Sequence, residues 1–169
     1  MNIKSRLSLH TQRALVCVLL TSGVTAQSQP VAKEGRYDYL ACWSGASNVL
    51  AFSKTHTATT TEFTGTTRSN IAGSIFDNNS FRCIGMSVSF DGKNTATSAC
   101  ESIDRDGDRR LSYFATAADG KVTREAVSGT GKYDGLVLDT TVTPIGPFPT
   151  IKPGTFQACN HQVGSYKLK

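Results

Sequence analysis

Beyond position 26, few residues are equipped for acid–base, nucleophilic or metal chemistry: two histidines, His56 and His161, four cysteines, and the charged run Asp104-Arg105-Asp106-Gly107-Asp108. The histidines lie on separate predicted strands, and no G-x-S-x-G elbow exposes a serine for either to activate. Both read as surface strand residues. The charged run spaces three carboxylates like the first half of an EF-hand loop. Its second half fails, because Arg109 stands where glycine is needed and Ala115 where a bidentate glutamate belongs. Arg105, Arg109 and Arg110 also offset the charge that would attract a cation, so the run reads as a solvated hairpin tip. Gly129-Thr130-Gly131-Lys132 lacks the full G-x-x-x-x-G-K-[ST] pattern of a phosphate loop. Its glycines suit a bulge or a close backbone approach at a strand end. No catalytic residue, metal or cofactor is expected.

Cys42, Cys83, Cys100 and Cys159 are an even number and widely scattered. Zinc sites usually bring cysteines in close pairs such as C-x-x-C, whereas scattered cysteines in an exported chain read as two disulfides. That leaves no free thiol as a nucleophile. Export itself is read from Lys4, Arg6 and Arg13 ahead of the apolar run Ala14-Leu15-Val16-Cys17-Val18-Leu19-Leu20, with small residues up to Ala26 for cleavage. The apolar run is too short to anchor the chain in a bilayer. Residues 1–26 are therefore expected to be a signal peptide and 27–169 a single domain that is periplasmic or extracellular, with no transmembrane segment. The leader holds three of the 18 Lys and Arg and none of the 13 Asp and Glu, so residues 27–169 carry a net charge of only +2. Without a basic run or interleaved aromatics, nucleic acid is not an expected partner.

The elements that position these residues are strands. Short runs rich in Thr, Val, Tyr and Phe, separated by turn signals, predict strands over 37–44, 49–57, 59–67, 81–90, 94–103, 110–117, 121–128, 136–143 and 155–162. Four of the five prolines fall in 144–153, which is read as a loop at the rim. Asp91-Gly92 is a two-residue type I′ turn signal. It sets Cys83 directly opposite Cys100, in a non-hydrogen-bonded pair whose Cα atoms lie about 4.5 Å apart, within disulfide reach. Trp43 is read as core packing against Cys42.

Taking Asp106-Gly107 and Asp119-Gly120 as two-residue turns as well, one sheet face collects Ile84, Met86, Val88, Phe90, Ala99, Phe114 and Val127 with Glu101 and Glu125. The other face collects Gly85, Ser87, Ser89, Ala96, Ser98, Ala115 and Ala126. With the bulky face inward, Met86, Phe90 and Phe114 would line an apolar pocket with Glu101 and Glu125 about 10 Å apart, at two strand spacings. A one-residue slip reverses such an assignment.

Eight or nine strands in sequential hairpins close into a barrel or split into a sandwich. Around Ala126-Val127-Ser128-Gly129-Thr130-Gly131-Lys132-Tyr133-Asp134-Gly135 the chain resembles the G-G-T-G-K-F/Y segment of dirigent proteins and the related stretch of allene oxide cyclases. Residues 100–107 also look like a group of small bacterial secreted proteins. The resemblance spans about 50 residues and departs from those families at Ser128, where glycine is usual, and in the two disulfides. It implies an all-β, antiparallel up-and-down barrel of about eight strands, lipocalin- or allene oxide cyclase-like, and no catalytic residue is carried over. In such a barrel Cys42 would bond Cys159, tying the first strand to the last. The expected function is noncatalytic binding of a small apolar ligand in the lumen. The alternatives are an exported interaction or inhibitor module with a filled lumen, and a cyclase- or dirigent-like barrel acting on a small apolar substrate.

Overall fold

A computed structural model describes residues 31–169, so the expected leader, residues 1–26, lies outside the described residues. Eight antiparallel strands follow one another: β1 (Glu34–Ala51), β2 (His56–Ser69), β3 (Ser80–Phe90), β4 (Lys93–Ile103), β5 (Arg109–Thr116), β6 (Val122–Gly129), β7 (Val137–Ile145) and β8 (Thr155–Lys167). The ladder order is β6-β5-β4-β3-β2-β1-β8-β7. Each strand thus pairs with its sequence neighbour, and β8 pairs back onto β1. Only β6 and β7 lie side by side without a ladder, which makes a nearly closed up-and-down barrel. Pro144 sits near the end of β7, whose one ladder is to β8, so its missing N–H leaves no pairing unmade.

Eight strands replace the nine expected because β1 runs on through Val49 to Ala51 and turns over residues 52–55. That turn carries no Gly, Pro, Asn or Asp. The Ser53 hydroxyl closes it instead, accepting from the backbone N–H groups of Thr55 (3.2 Å) and His56 (3.1 Å).

The hairpin between β3 and β4 is as expected. Asp91 and Gly92 have φ of 48° and 79°, the two positive values that a type I′ turn demands. Cys83 stands opposite Cys100 with Cα atoms 4.1 Å apart, and the two are disulfide-bonded. Cys42 likewise stands opposite Cys159 across β1 and β8, bonded with the same Cα separation. Both half-cystines of the Cys83–Cys100 bridge are buried on the inner face, while Cys42 is exposed on the outer one. Replacing Cys83 and Cys100 together with serine is expected to cost about 3 kcal/mol by chain entropy yet leave the barrel folded. Urea unfolding with far-UV circular dichroism checks both parts.

The next two hairpins correct the expected register. Asp104 N–H donates to the carbonyl of Asp108 and Gly107 N–H to Asp104, with Gly107 at φ 86°. Ala117 N–H donates to Lys121 and Gly120 N–H to Ala117, with Gly120 at φ 84°. Each is a three-residue loop with a left-handed glycine in third place, not the two-residue turn supposed. A two-residue type I′ turn would need Asp106 and Asp119 at positive φ, and neither is. The extra residue in the first loop turns Phe114 onto the opposite face, where it pairs with Ser98. The second loop restores Glu125 and Val127 to the face of Ala99.

That face is the outer one. Ile84, Met86, Phe90 and Val127 are more than half exposed. The inward positions of β3 and β4 hold Cys83, Gly85, Ser98, Cys100 and Ser102 beside one large residue, Phe81, because most of the bulk inside arrives from other strands as Tyr39, Trp43, Phe63, Phe114 and two arginines. An eight-stranded barrel has room for one layer of large side chains, so small residues face large ones across it. Gly65 shows the closeness of the fit: a Cβ there would come within 2.6 Å of the Phe81 ring and 2.8 Å of Trp43 Cβ.

One end of the barrel is closed. The connection between β2 and β3 folds back so that Thr67 Oγ1 donates to the carbonyl of Phe76 (2.6 Å). Phe76 then packs among Tyr37, Tyr39, Tyr133 and Tyr166, with ring centroids 4.8 to 6.4 Å apart. These residues with Ala41 and Leu136 form the buried core.

Candidate functional site

Above that aromatic plug the lumen holds a cavity of about 390 Å³, within the size range of small-molecule sites. Its apolar wall comes from Trp43 on β1, Phe63 on β2, Phe81 on β3, Phe114 on β5 and Val122 on β6. Trp43 packs on Phe63 and Phe81 at centroid distances of 5.5 and 6.3 Å. It points into the barrel, opposite to Cys42, so it does not cover that disulfide as expected. Ile145 and Pro147 border the cavity toward the end away from the plug.

The polar wall centres on two arginines. Arg124 on β6 donates to Tyr39 Oη (2.7 Å), Gln162 Oε1 (2.9 Å) and Ser112 Oγ (3.1 Å), and its guanidinium lies 5.6 Å from the Phe114 ring centre. Arg110, the second residue of β5, is only 2% exposed. Its guanidinium lies 4.9 Å from the centre of Phe76 and 5.2 Å from that of Tyr133, a cation on two aromatic faces. Burial pulls its pKa below the usual arginine value, and the charge of Arg124 pulls in the same direction. The lining holds no carboxylate and no histidine among the described residues.

Of the expected site residues, only Phe114 lines the lumen. Met86 and Phe90 are 53% and 52% exposed on the outer wall. Glu101 pairs with Arg109 on the outside, and Glu125 stands exposed opposite Tyr113. The pocket with two carboxylates is therefore overturned, since the inner face is the one on which β3 and β4 carry small residues and Phe81. Arg110, Arg124 and Tyr39 went unseen. With three-residue loops, i, i+2 alternation would have put Arg110, Ser112 and Phe114 on one face with Arg124 opposite, and that pattern was the available signal.

The acidic run and the Gly129-Thr130-Gly131-Lys132 segment form one latch at the plugged end. Thr130 and Arg109 exchange hydrogen bonds: Thr130 N–H donates to the Arg109 carbonyl (2.8 Å), and Arg109 N–H to Thr130 Oγ1 (2.9 Å). Lys132 N–H donates to Asp108 Oδ2 (3.1 Å). Gly131 has φ 54°, and a Cβ there would displace the Asp108 carboxylate, whose Oδ1 would lie 1.8 Å away, so the position favours glycine. The Lys132 ammonium reaches Asp106, Asp104 (2.9 Å) and Asp108 (3.7 Å). Burial alone would lower its pKa, but these carboxylates raise it well above the usual lysine value. The ammonium thus takes the place a cation would hold, and the latch seats Tyr133 under Arg110. Millimolar calcium is accordingly expected to leave the melting temperature unchanged within a degree or so. A rise of several degrees that Asp106→Ala removes would contradict this.

The outer face carries a histidine–carboxylate contact. His161 Nε2 lies 2.7 Å from Asp38 Oδ1, and Asn70 donates to the same oxygen. These hydrogen bonds, that of His161 foremost, hold the Asp38 pKa below the usual carboxylate value. Both side chains are about a third exposed, and the Ser69 hydroxyl donates to the Asp38 backbone carbonyl (3.0 Å).

Fold and site together define an eight-stranded antiparallel barrel with an aromatic lumen and two inward arginines. Set against known proteins, the chain matches no family model, no curated protein and no solved structure.

Proposed function

We propose that this is an exported barrel that holds a small, largely apolar ligand in its lumen without transforming it. The observation that carries the reading is the 390 Å³ cavity walled by Trp43, Phe63, Phe81 and Phe114 above a plugged end. Ligand sites are concave and mostly apolar, with a few convergent polar groups. The absence of a carboxylate or imidazole from the described lining leaves no usual general base there and favours binding over proton-transfer chemistry. Two disulfides suit an oxidising compartment, periplasmic or extracellular. Among the described residues no helix is long and apolar enough to cross a membrane.

Native mass spectrometry of protein purified from its own host tests the reading. The expected spectrum shows a noncovalent small-molecule adduct that is lost on unfolding. A bare mass, together with no change in Trp43 emission across a panel of neutral aromatic compounds, would contradict it. A second reading, an interaction module, is favoured by a different observation: Ile84, Met86 and Phe90 form an outward apolar row on β3. Charged replacements along that row should leave lumen binding intact and weaken only contacts with another protein.

A further inference from the structure

We propose that the lumen selects an amphiphilic organic acid, whose apolar body lies on the aromatic wall and whose carboxylate docks on Arg110. This rests on the lumen-binding reading and names the class of ligand.

Arg110 is almost wholly buried and lines the cavity, yet its Nε and Nη1 have no hydrogen-bond partner in the protein. The rings of Phe76 and Tyr133 lie against the guanidinium. Ring faces stabilise the cation but accept little from its N–H donors, which radiate in the guanidinium plane. Arg124 differs, because Tyr39, Gln162 and Ser112 already occupy its donors. Neither arginine forms an ion pair among the described residues. The nearby carboxylates are committed elsewhere, Asp104, Asp106 and Asp108 to Lys132 and Glu101 to Arg109. The lumen therefore presents two cations and no anion. Buried donors left unmade and unpaired buried charge are both costly to folding, and such groups normally have partners. A guanidinium fork matches a carboxylate in the same plane, with two charge-assisted hydrogen bonds. The aromatic wall beside it leaves room for a body that a mineral anion lacks.

Calorimetry and Trp43 emission on the purified full-length secreted protein, with 4-phenylbutyrate and 4-phenylbutan-1-ol as a matched pair, test this. Trp43 is the sole tryptophan and lines the cavity. The acid is expected to bind about ten- to a hundredfold more tightly than the alcohol, as charge-assisted hydrogen bonds imply. Arg110→Gln should bring that ratio close to one by weakening the acid far more than the alcohol, and Arg110→Lys should restore part of it. Equal binding of acid and alcohol by the wild type would overturn anion selection and leave lumen binding standing. Binding of neither would overturn both. A preference that survives in Arg110→Gln would refute the assignment to Arg110. Displacement of the acid by sulfate or acetate at equal concentration would reduce the site to one for simple anions and overturn the amphiphile. Should Arg110→Gln not fold, the wild-type ratio and Arg110→Lys decide the matter.

Discussion

Replacing Cys42 and Cys159 together with serine is expected to lower the free energy of unfolding by about 4 to 5 kcal/mol, on the chain-entropy account of a long closed loop. The two cysteines are 117 residues apart and join β1 to β8. Typical domains have only about 5–15 kcal/mol in all, so this bridge carries a large share. The other bridge spans 17 residues and its loss should cost less. The replacement is well suited to the test, since Cys42 faces outward and a serine hydroxyl there meets water. Urea titrations of the two double variants check the order. A loss below about 1 kcal/mol for the long loop would show that the unfolded chain already keeps its ends together.

Lys132→Met is the second large effect, an expected loss of about 3 kcal/mol near neutral pH, typical of removing one partner from a buried ion pair. It strands Asp104, whose side chain is 5% exposed, beside Asp106 and Asp108. Burial pushes the Asp104 pKa up, but the contact with the Lys132 ammonium and the backbone N–H of Asp106 outweigh it and hold the carboxyl below its usual value. A carboxylate depressed in this way stabilises the fold above its unfolded pKa and loses that contribution as pH falls through the folded value. The raised Lys132 ammonium contributes fully below the unfolded lysine pKa and loses its share as pH rises through the folded one. The latch is therefore worth most between about pH 5 and pH 10. The gap between wild type and Lys132→Met should narrow below about pH 4, as the carboxylates take up protons. A gap independent of pH would mean that Lys132 acts through packing alone.

How much of this was legible in the sequence depended on turn chemistry. Asp91-Gly92 states its own geometry, so the β3–β4 register and the Cys83–Cys100 bond followed from it. The all-β class was also readable from residue types, whereas the closure of first strand on last, and with it the Cys42–Cys159 bond, was expected only from the barrel that the resemblance implied. Asp106-Gly107 and Asp119-Gly120 look the same in sequence but end three-residue loops, because only their glycines adopt positive φ. Each miscount moves a strand by one position and exchanges its faces. The inward face was misjudged for another reason. Bulk marks the core of an open sheet, but inside a narrow barrel the large residues of β1, β2, β5 and β6 oblige β3 and β4 to contribute small ones at every inward position but Phe81. Phe114 reached the lumen because the slip and the inversion cancelled. A charged residue such as Arg110 reads as surface in any tally of polarity, and only the completed barrel shows it buried on aromatic rings.

The most direct test of the lumen as a binding site is Trp43 emission during titration with 4-phenylbutan-1-ol, in the wild type and in Ser98→Phe. Ser98 lines the cavity opposite Gly85 and Phe114, so a ring at that position fills the space a ligand would take. A saturable change in the wild type, lost in a Ser98→Phe protein that keeps its melting temperature, is the predicted result. No change in the wild type, or the same titration curve in both proteins, would contradict it.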